Sequence, residues 1–91
     1  MNNAAKRTEI FDLIASERER QIEEEGYSPK RDDGYVNNEL ALAAAAYCVA
    51  NDSYVSLWPW APKTFKPRGR RRNLVRAAAL IVAEIERIDR A

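Results

Sequence analysis

Arg71-Arg72-Asn73-Leu74-Val75-Arg76-Ala77-Ala78-Ala79-Leu80-Ile81-Val82-Ala83-Glu84-Ile85-Glu86-Arg87-Ile88-Asp89-Arg90 is the stretch whose reading decides the fold. Leu74, Ala78, Ile81, Ile85 and Ile88 recur at alternating four- and three-residue steps, which keeps them on one side of an α-helix. The spacing predicts a helix over 71–90 with that stripe turned toward the core. Upstream, the alanine-rich run Ala41-Leu42-Ala43-Ala44-Ala45-Ala46-Tyr47 reads as a second helix, from Asn37 or Asn38 to about Ala50, stopped by Asn51-Asp52-Ser53. Small side chains on nearly every face permit close backbone approach. This helix is therefore expected at the centre of the fold or at a subunit contact. A first helix is expected from Thr8, as N-cap, to about Glu25, with Gly26 supplying the left-handed residue that ends it. Residues 1–7 read as a flexible tail, and Tyr27-Ser28-Pro29 and Asp32-Asp33-Gly34 as turns. The fold class is then all-α: one domain, a three-helix bundle with a long ordered Trp/Pro-rich loop between helices two and three.

That loop is the most unusual part of the chain. From Trp58 to Arg72 it holds Trp58, Trp60 and Phe65, prolines 59, 62 and 67, and six cationic side chains. A helix start already carries free N–H groups and partial positive charge, so Arg70, Arg71 and Arg72 there are locally unfavourable and suggest a compensating anion. The anion is either the chain's own acidic half, a partner, or a phosphate-bearing ligand. The two halves do differ in charge. Residues 1–40 carry six bases against ten acids, and residues 41–91 nine bases against four acids, for a formal total of +1. So even a balance does not point to nucleic acid.

Ninety-one residues allow one domain with a thin core, for which oligomerisation is an expected source of stability. With no histidine and the single cysteine Cys48, Cys/His zinc sites and His-activated nucleophiles are excluded within the chain. No apolar run reaches a membrane span and no signal-peptide core is present, so a soluble intracellular protein is expected, without membrane partners or cofactor.

Some polar residues fall where apolar ones are expected. Ile10 and Ile14 begin a core stripe on the first helix, but its continuation lands on Glu17 and Gln21, and the neighbouring stripe through Phe11 and Ile14 continues to Arg18 and Ile22. Either the helix end protrudes past the core, or Glu17, Arg18 and Gln21 line a polar pocket, since unpaired burial costs several kcal/mol. Asp32 and Asp33, with Glu17 or Glu39, are candidate ligands for a hard metal ion. Capping of the next helix and pairing with arginine are the alternatives. Arg70–Arg72 with Arg76 read either as a solvated surface or as a phosphate grip. Trp58, Trp60 and Tyr27 read either as lid-to-core packing or as surfaces for stacking a base.

Taken together, Glu17-Arg18-x-Arg20-Gln21-Ile22, Glu25-Gly26-Tyr27, Asp32-Asp33, Glu39-Leu40-Ala41, Trp58-Pro59-Trp60, Lys66-Pro67, Arg70-Arg71-Arg72 and Ala83-Glu84-Ile85-Glu86-Arg87 resemble a family of short phage and prophage proteins across about residues 8–90. The resemblance implies a phage context, in the cytoplasm of an infected bacterium. Small phage accessory proteins there counter host defence, and some trap nucleotide immune signals in oligomeric cages. The chain is also similar to MazG-like all-α nucleoside triphosphate pyrophosphohydrolases, whose helix-borne Glu-x-x-Glu and Glu-x-x-Asp pairs hold magnesium. It departs from them where Leu42 and Ala43 follow Glu39, while Glu86-x-x-Asp89 sits at the last turn and Glu9-x-x-Asp12 in a first turn. The expected function is sequestration of a nucleotide-derived, phosphorylated immune signal without hydrolysis, by a homo-oligomer. Arg70, Arg71, Arg72 and Arg76 are expected on phosphate, Glu17, Arg18 and Gln21 on sugar or base edge, and Trp58, Trp60 or Tyr27 in stacking. The alternatives are a magnesium-dependent nucleotide hydrolase using Glu17, Asp32, Asp33 and Glu39, and a protein-binding inhibitor of a host defence complex.

Overall fold

Good helix formers fill both ends of the chain, and the computed structural model, which describes residues 3–50 and 57–91, is all-α with no strand among them. Helix α1 spans Asn3–Glu24, a short α2 spans Pro29–Asp32, α3 spans Glu39–Cys48 and α4 spans Arg70–Arg90. None is long and apolar enough to cross a membrane.

Helix α1 begins five residues before the expected cap. Ala4, Ala5, Lys6 and Arg7 favour helix, and Thr8 turns its hydroxyl back to the Ala4 carbonyl, 3.0 Å away, rather than capping. Residues 3–7 are therefore helix, not tail. At the other end Gly26 has φ +74°, as a helix stop requires, and the Tyr27 and Glu25 N–H groups both donate to the Gln21 carbonyl. The segment read as turns holds the four-residue α2. Ser28 caps it through Oγ, which accepts from the Arg31 N–H, and Pro29 takes the position where a missing N–H costs nothing. The expected Asn51-Asp52-Ser53 stop lies outside the described residues, as do residues 54–56 of the loop.

The apolar core lies between α3 and α4. Leu40, Ala43, Ala44, Ala46 and Tyr47 of α3 meet Ala77, Leu80 and Ala83 of α4, and Trp58 of the loop closes over them. The alanines let the two backbones approach, as the composition suggested. Trp58 packs edge-on against Tyr47 at 5.3 Å and beside Phe65 at 5.1 Å, while its indole N–H donates to Thr64 Oγ1 at 2.9 Å. The described part of the loop is thus an ordered cover, tightened by a 3-10 turn at Pro62–Thr64. Asn73 fastens it to α4, accepting from the Arg68 N–H at 2.6 Å and donating to the Arg68 carbonyl at 2.8 Å.

Two expected core stripes are not in the core. Leu74, Ile81, Ile85 and Ile88 are 41%, 46%, 52% and 55% exposed, and α4 buries Asn73, Val75, Ala77, Ala79, Leu80 and Ala83 instead. On α1, Ile10 and Phe11 are exposed, and the buried residues are Glu17, Arg18 and Gln21. The rotation of α4 follows from its partner. An alanine surface on α3 seats an alanine surface on α4 more closely than it would seat isoleucines.

Candidate functional site

Between Ala15 and Gln21 helix α1 offers no large aliphatic residue, so its buried face there is built from charges that neutralise one another. Glu17 is almost wholly buried. Its carboxylate accepts from Arg20 Nε and Nη2, both at 2.9 Å, from Gln21 Nε2 at 3.2 Å, and from Arg72 Nη2. Arg18 donates to Asp32 Oδ2 at 3.1 Å, to Glu86 Oε1 at 2.9 Å and to the Tyr27 carbonyl at 3.1 Å. One guanidinium thus joins α1, α2, α4 and the turn between the first two. Arg18 is a structural tie, not a ligand group on an open surface.

The two buried carboxylates are tuned in opposite directions. Burial alone raises both. At Glu17 the Arg20 hydrogen bonds and the charges of Arg20, Arg72 and Arg76 outweigh it, holding the carboxyl below its ordinary range. At Asp32 burial outweighs Arg18, Arg31 and Arg90, and the pKa lies above the ordinary value.

Behind this network lies a small, partly open chamber of about 20 Å³, walled by Glu17, Gln21, Tyr27, Tyr47, Lys66 and Arg76 among others. Its size admits one water or one functional group. Gln21 donates to Glu17 and, at 3.4 Å, to the Arg76 carbonyl, but its buried Oε1 has no partner. Arg76 donates through Nη1 to the Lys66 carbonyl at 2.9 Å, while its buried Nε is unpartnered. Two residues of the chamber wall thus each carry a buried polar atom without a partner, one an acceptor and one a donor.

Adjoining it is an open recess of about 390 Å³ that shares Glu25, Tyr27, Thr64 and Lys66 with the chamber and adds Arg31 and Trp60. The Arg31 guanidinium stacks on Tyr27 at 4.4 Å, Tyr35 at 5.0 Å and Trp60 at 5.1 Å from the ring centres, and its buried Nη1 lacks a partner. Burial, with Tyr47 and Glu25 nearby, pushes the Tyr27 hydroxyl up to about 12, so it stays protonated as a donor. The site joins four cations (Arg20, Arg31, Lys66 and Arg76), two carboxylates (Glu17 and Glu25), aromatic surfaces and unpartnered buried polar atoms. Comparison with protein-family models, curated proteins and solved structures finds no match for this chain.

Of the residues picked out in the sequence, Glu17, Gln21, Tyr27 and Arg76 share the chamber, and Trp60 lines the recess. Trp58 belongs to the core. Arg70, Arg71 and Arg72 line a separate groove of about 410 Å³ with Leu13 and Val75. There Arg72 is tied to Glu17 and Arg70 donates to the Cys48 carbonyl, whereas Arg71 has no partner among the described residues. Asp32 and Asp33 do not neutralise these arginines. Asp32 goes to Arg18, and Asp33 accepts from Arg90 at 2.7 Å. Glu39 accepts from the Asn37 N–H at 2.6 Å. The proposed metal ligands Asp32, Asp33 and Glu39 therefore do not converge, and no three acidic or Cys side chains come together among the described residues. Arg31, Thr64, Tyr47 and Lys66 were not singled out in the sequence as site residues. Arg31 stands four residues from both Tyr27 and Tyr35, a spacing that becomes a stack only once α2 forms.

Proposed function

We propose that this chain binds a nucleotide-derived, phosphorylated small molecule and holds it without hydrolysis, as part of a homo-oligomer. In a phage setting the ligand is an immune signal and the protein a sequestering agent. The observation that carries the reading is the buried, unpartnered Oε1 of Gln21, a residue that lines a chamber adjoining an aromatic recess lined by Arg31 and Lys66. A buried acceptor without a partner costs on the order of 1–3 kcal/mol, which a ligand N–H or hydroxyl, or a water standing in for it, offsets. The recess volume falls within the range of small-molecule sites. Lys66 supplies charge for phosphate, Tyr27 and Trp60 supply edges and faces for a base, and Gln21 and Arg76 read one polar group at the inner end.

Calorimetry with cyclic dinucleotides and cyclic ADP-ribose isomers, at tens of micromolar protein, tests it. Binding should weaken about tenfold or more in Lys66→Ala, equivalent to roughly 1.4 kcal/mol. Silence across the panel removes the reading. Ligand recovered intact after denaturing the protein supports sequestration; ligand recovered cleaved, with magnesium present, points to the hydrolase instead.

A further inference from the structure

The steps of four and three residues through Leu74, Ala78, Ile81, Ile85 and Ile88 make the seam of a coiled coil, and its four large side chains are left about half exposed. Soluble chains rarely expose an aliphatic row of this length, and a single isolated isoleucine would need no comment. The row is also widened. Leu74 shares an apolar groove of about 330 Å³ with Ile10, Ile14 and Val75, and Phe11, 61% exposed, stands beside them on α1.

We infer that this face is a self-association surface, on which α4 pairs antiparallel with α4 of a second copy. A seam with heptad spacing fits a helix of the same spacing, and the chain itself carries one. Charge sets the direction. The first two turns of α4 hold Arg70, Arg71, Arg72 and Arg76 with no acid, whereas the last two hold Glu84, Glu86 and Asp89 with Arg87 and Arg90. Parallel pairing sets Arg70 and Arg71 against their own copies, since Arg72 and Arg76 turn toward Glu17 and the Lys66 carbonyl. Antiparallel pairing brings Arg70 and Arg71 level with Asp89 of the second copy, and neither Arg71 nor Asp89 has an ion-pair partner of its own among the described residues. In that register Leu74 faces Ile85 of the second copy and Ala78 faces its Ile81, large residue against large at the ends and small against large at the centre. The exposed halves of the α4 and α1 apolar side chains offer on the order of 600 Å² per copy, near the roughly 800 Å² of a standard interface.

The inference supplies the surface of the homo-oligomer in the proposed function, while ligand binding is tested separately, since the face shares no lining residue with the recess. Light scattering of the full chain at tens of micromolar should give twice the chain mass, and Ile85→Glu should give the chain mass with unchanged helical circular dichroism. Direction is read in a Cys48→Ser background. Oxidised Leu74→Cys should stay uncrosslinked, while Leu74→Cys with Ile85→Cys should form a covalent dimer. A wild-type monomer at hundreds of micromolar, an oligomer that survives Ile85→Glu and Ile81→Glu, or a disulfide through Leu74→Cys alone each overturns it.

Discussion

Helix α4 is gripped from two sides by opposite physics. Against α3 it packs alanine on alanine, with Leu40 and Leu80 as the large fully buried side chains, and charge enters only at the margin, where Arg70 donates to the Cys48 carbonyl and Arg76 lies over the Tyr47 ring. Against α1 it meets Glu17, Arg18 and Gln21, held by arginines from α1 and α4 and by acids from α2 and α4. The first interface is driven by removal of apolar surface from water and tolerates small errors of geometry. The second works only while every charge keeps its partner, because desolvating two ions costs as much as their attraction returns. The contrast places the candidate site. Unpartnered polar atoms and a chamber occur on the α1 side, where charges rather than methyl groups fill the space.

The strongest way to break the comparison is Arg18→Ala. It leaves Asp32, fully buried, without its ion partner, and should cost about 3–5 kcal/mol in urea unfolding. Adding Asp32→Asn should cost much less than the sum of the two single changes, as coupled partners require. On the apolar side, Leu40→Ala should cost about 2–5 kcal/mol and show no coupling to Arg18→Ala beyond a few tenths. Strong coupling there would mean the two interfaces are one cooperative unit.

Acidity sharpens the contrast further. The Glu17 carboxyl is held below its ordinary value in the folded state, so between pH about 5 and the folded value the unfolded chain binds more protons. Its contribution is present above the unfolded value and is lost as pH falls through the folded one. Glu17→Gln should therefore cost about 1–3 kcal/mol at neutral pH, with the gap to wild type narrowing toward acid. Urea midpoints measured from neutral to strongly acid pH check this, and a gap constant with pH would show that Glu17 is not the charged hub. The smallest effect belongs to Gly26→Ala. The site is open, with nothing near an added Cβ, so only the φ of +74° resists, and the cost should be about 1 kcal/mol in thermal unfolding.

Much of the architecture was readable from pattern. The Gly26 stop, the alanine-rich central helix, the long α4 and the ordered Trp58 cover follow from propensities and from the large area a tryptophan buries. Periodicity also showed that α4 has an apolar side, but not which side the fold buries. The heptad row reads as a bundle core in the sequence, and only the structure shows Ala77, Leu80 and Ala83 buried in its place. The site was half legible. Glu17, Gln21, Tyr27, Arg76 and Trp60 stood out as polar or aromatic residues in unexpected places. Arg31 and Lys66 did not, because a cation in a loop is ordinary until rings from other segments fold around it.

The sequence by itself therefore determined which segments are helical and where they stop, because those outcomes depend on neighbours within a turn or two. Only the tertiary structure decided which face of α4 is inward and which arginine meets which acid. Those outcomes depend on how closely α3 lets another backbone approach, a distance that no local pattern encodes. The partition of arginines, with Arg18 and Arg72 joined to buried carboxylates and Arg71 left facing outward, is a consequence of that one packing choice.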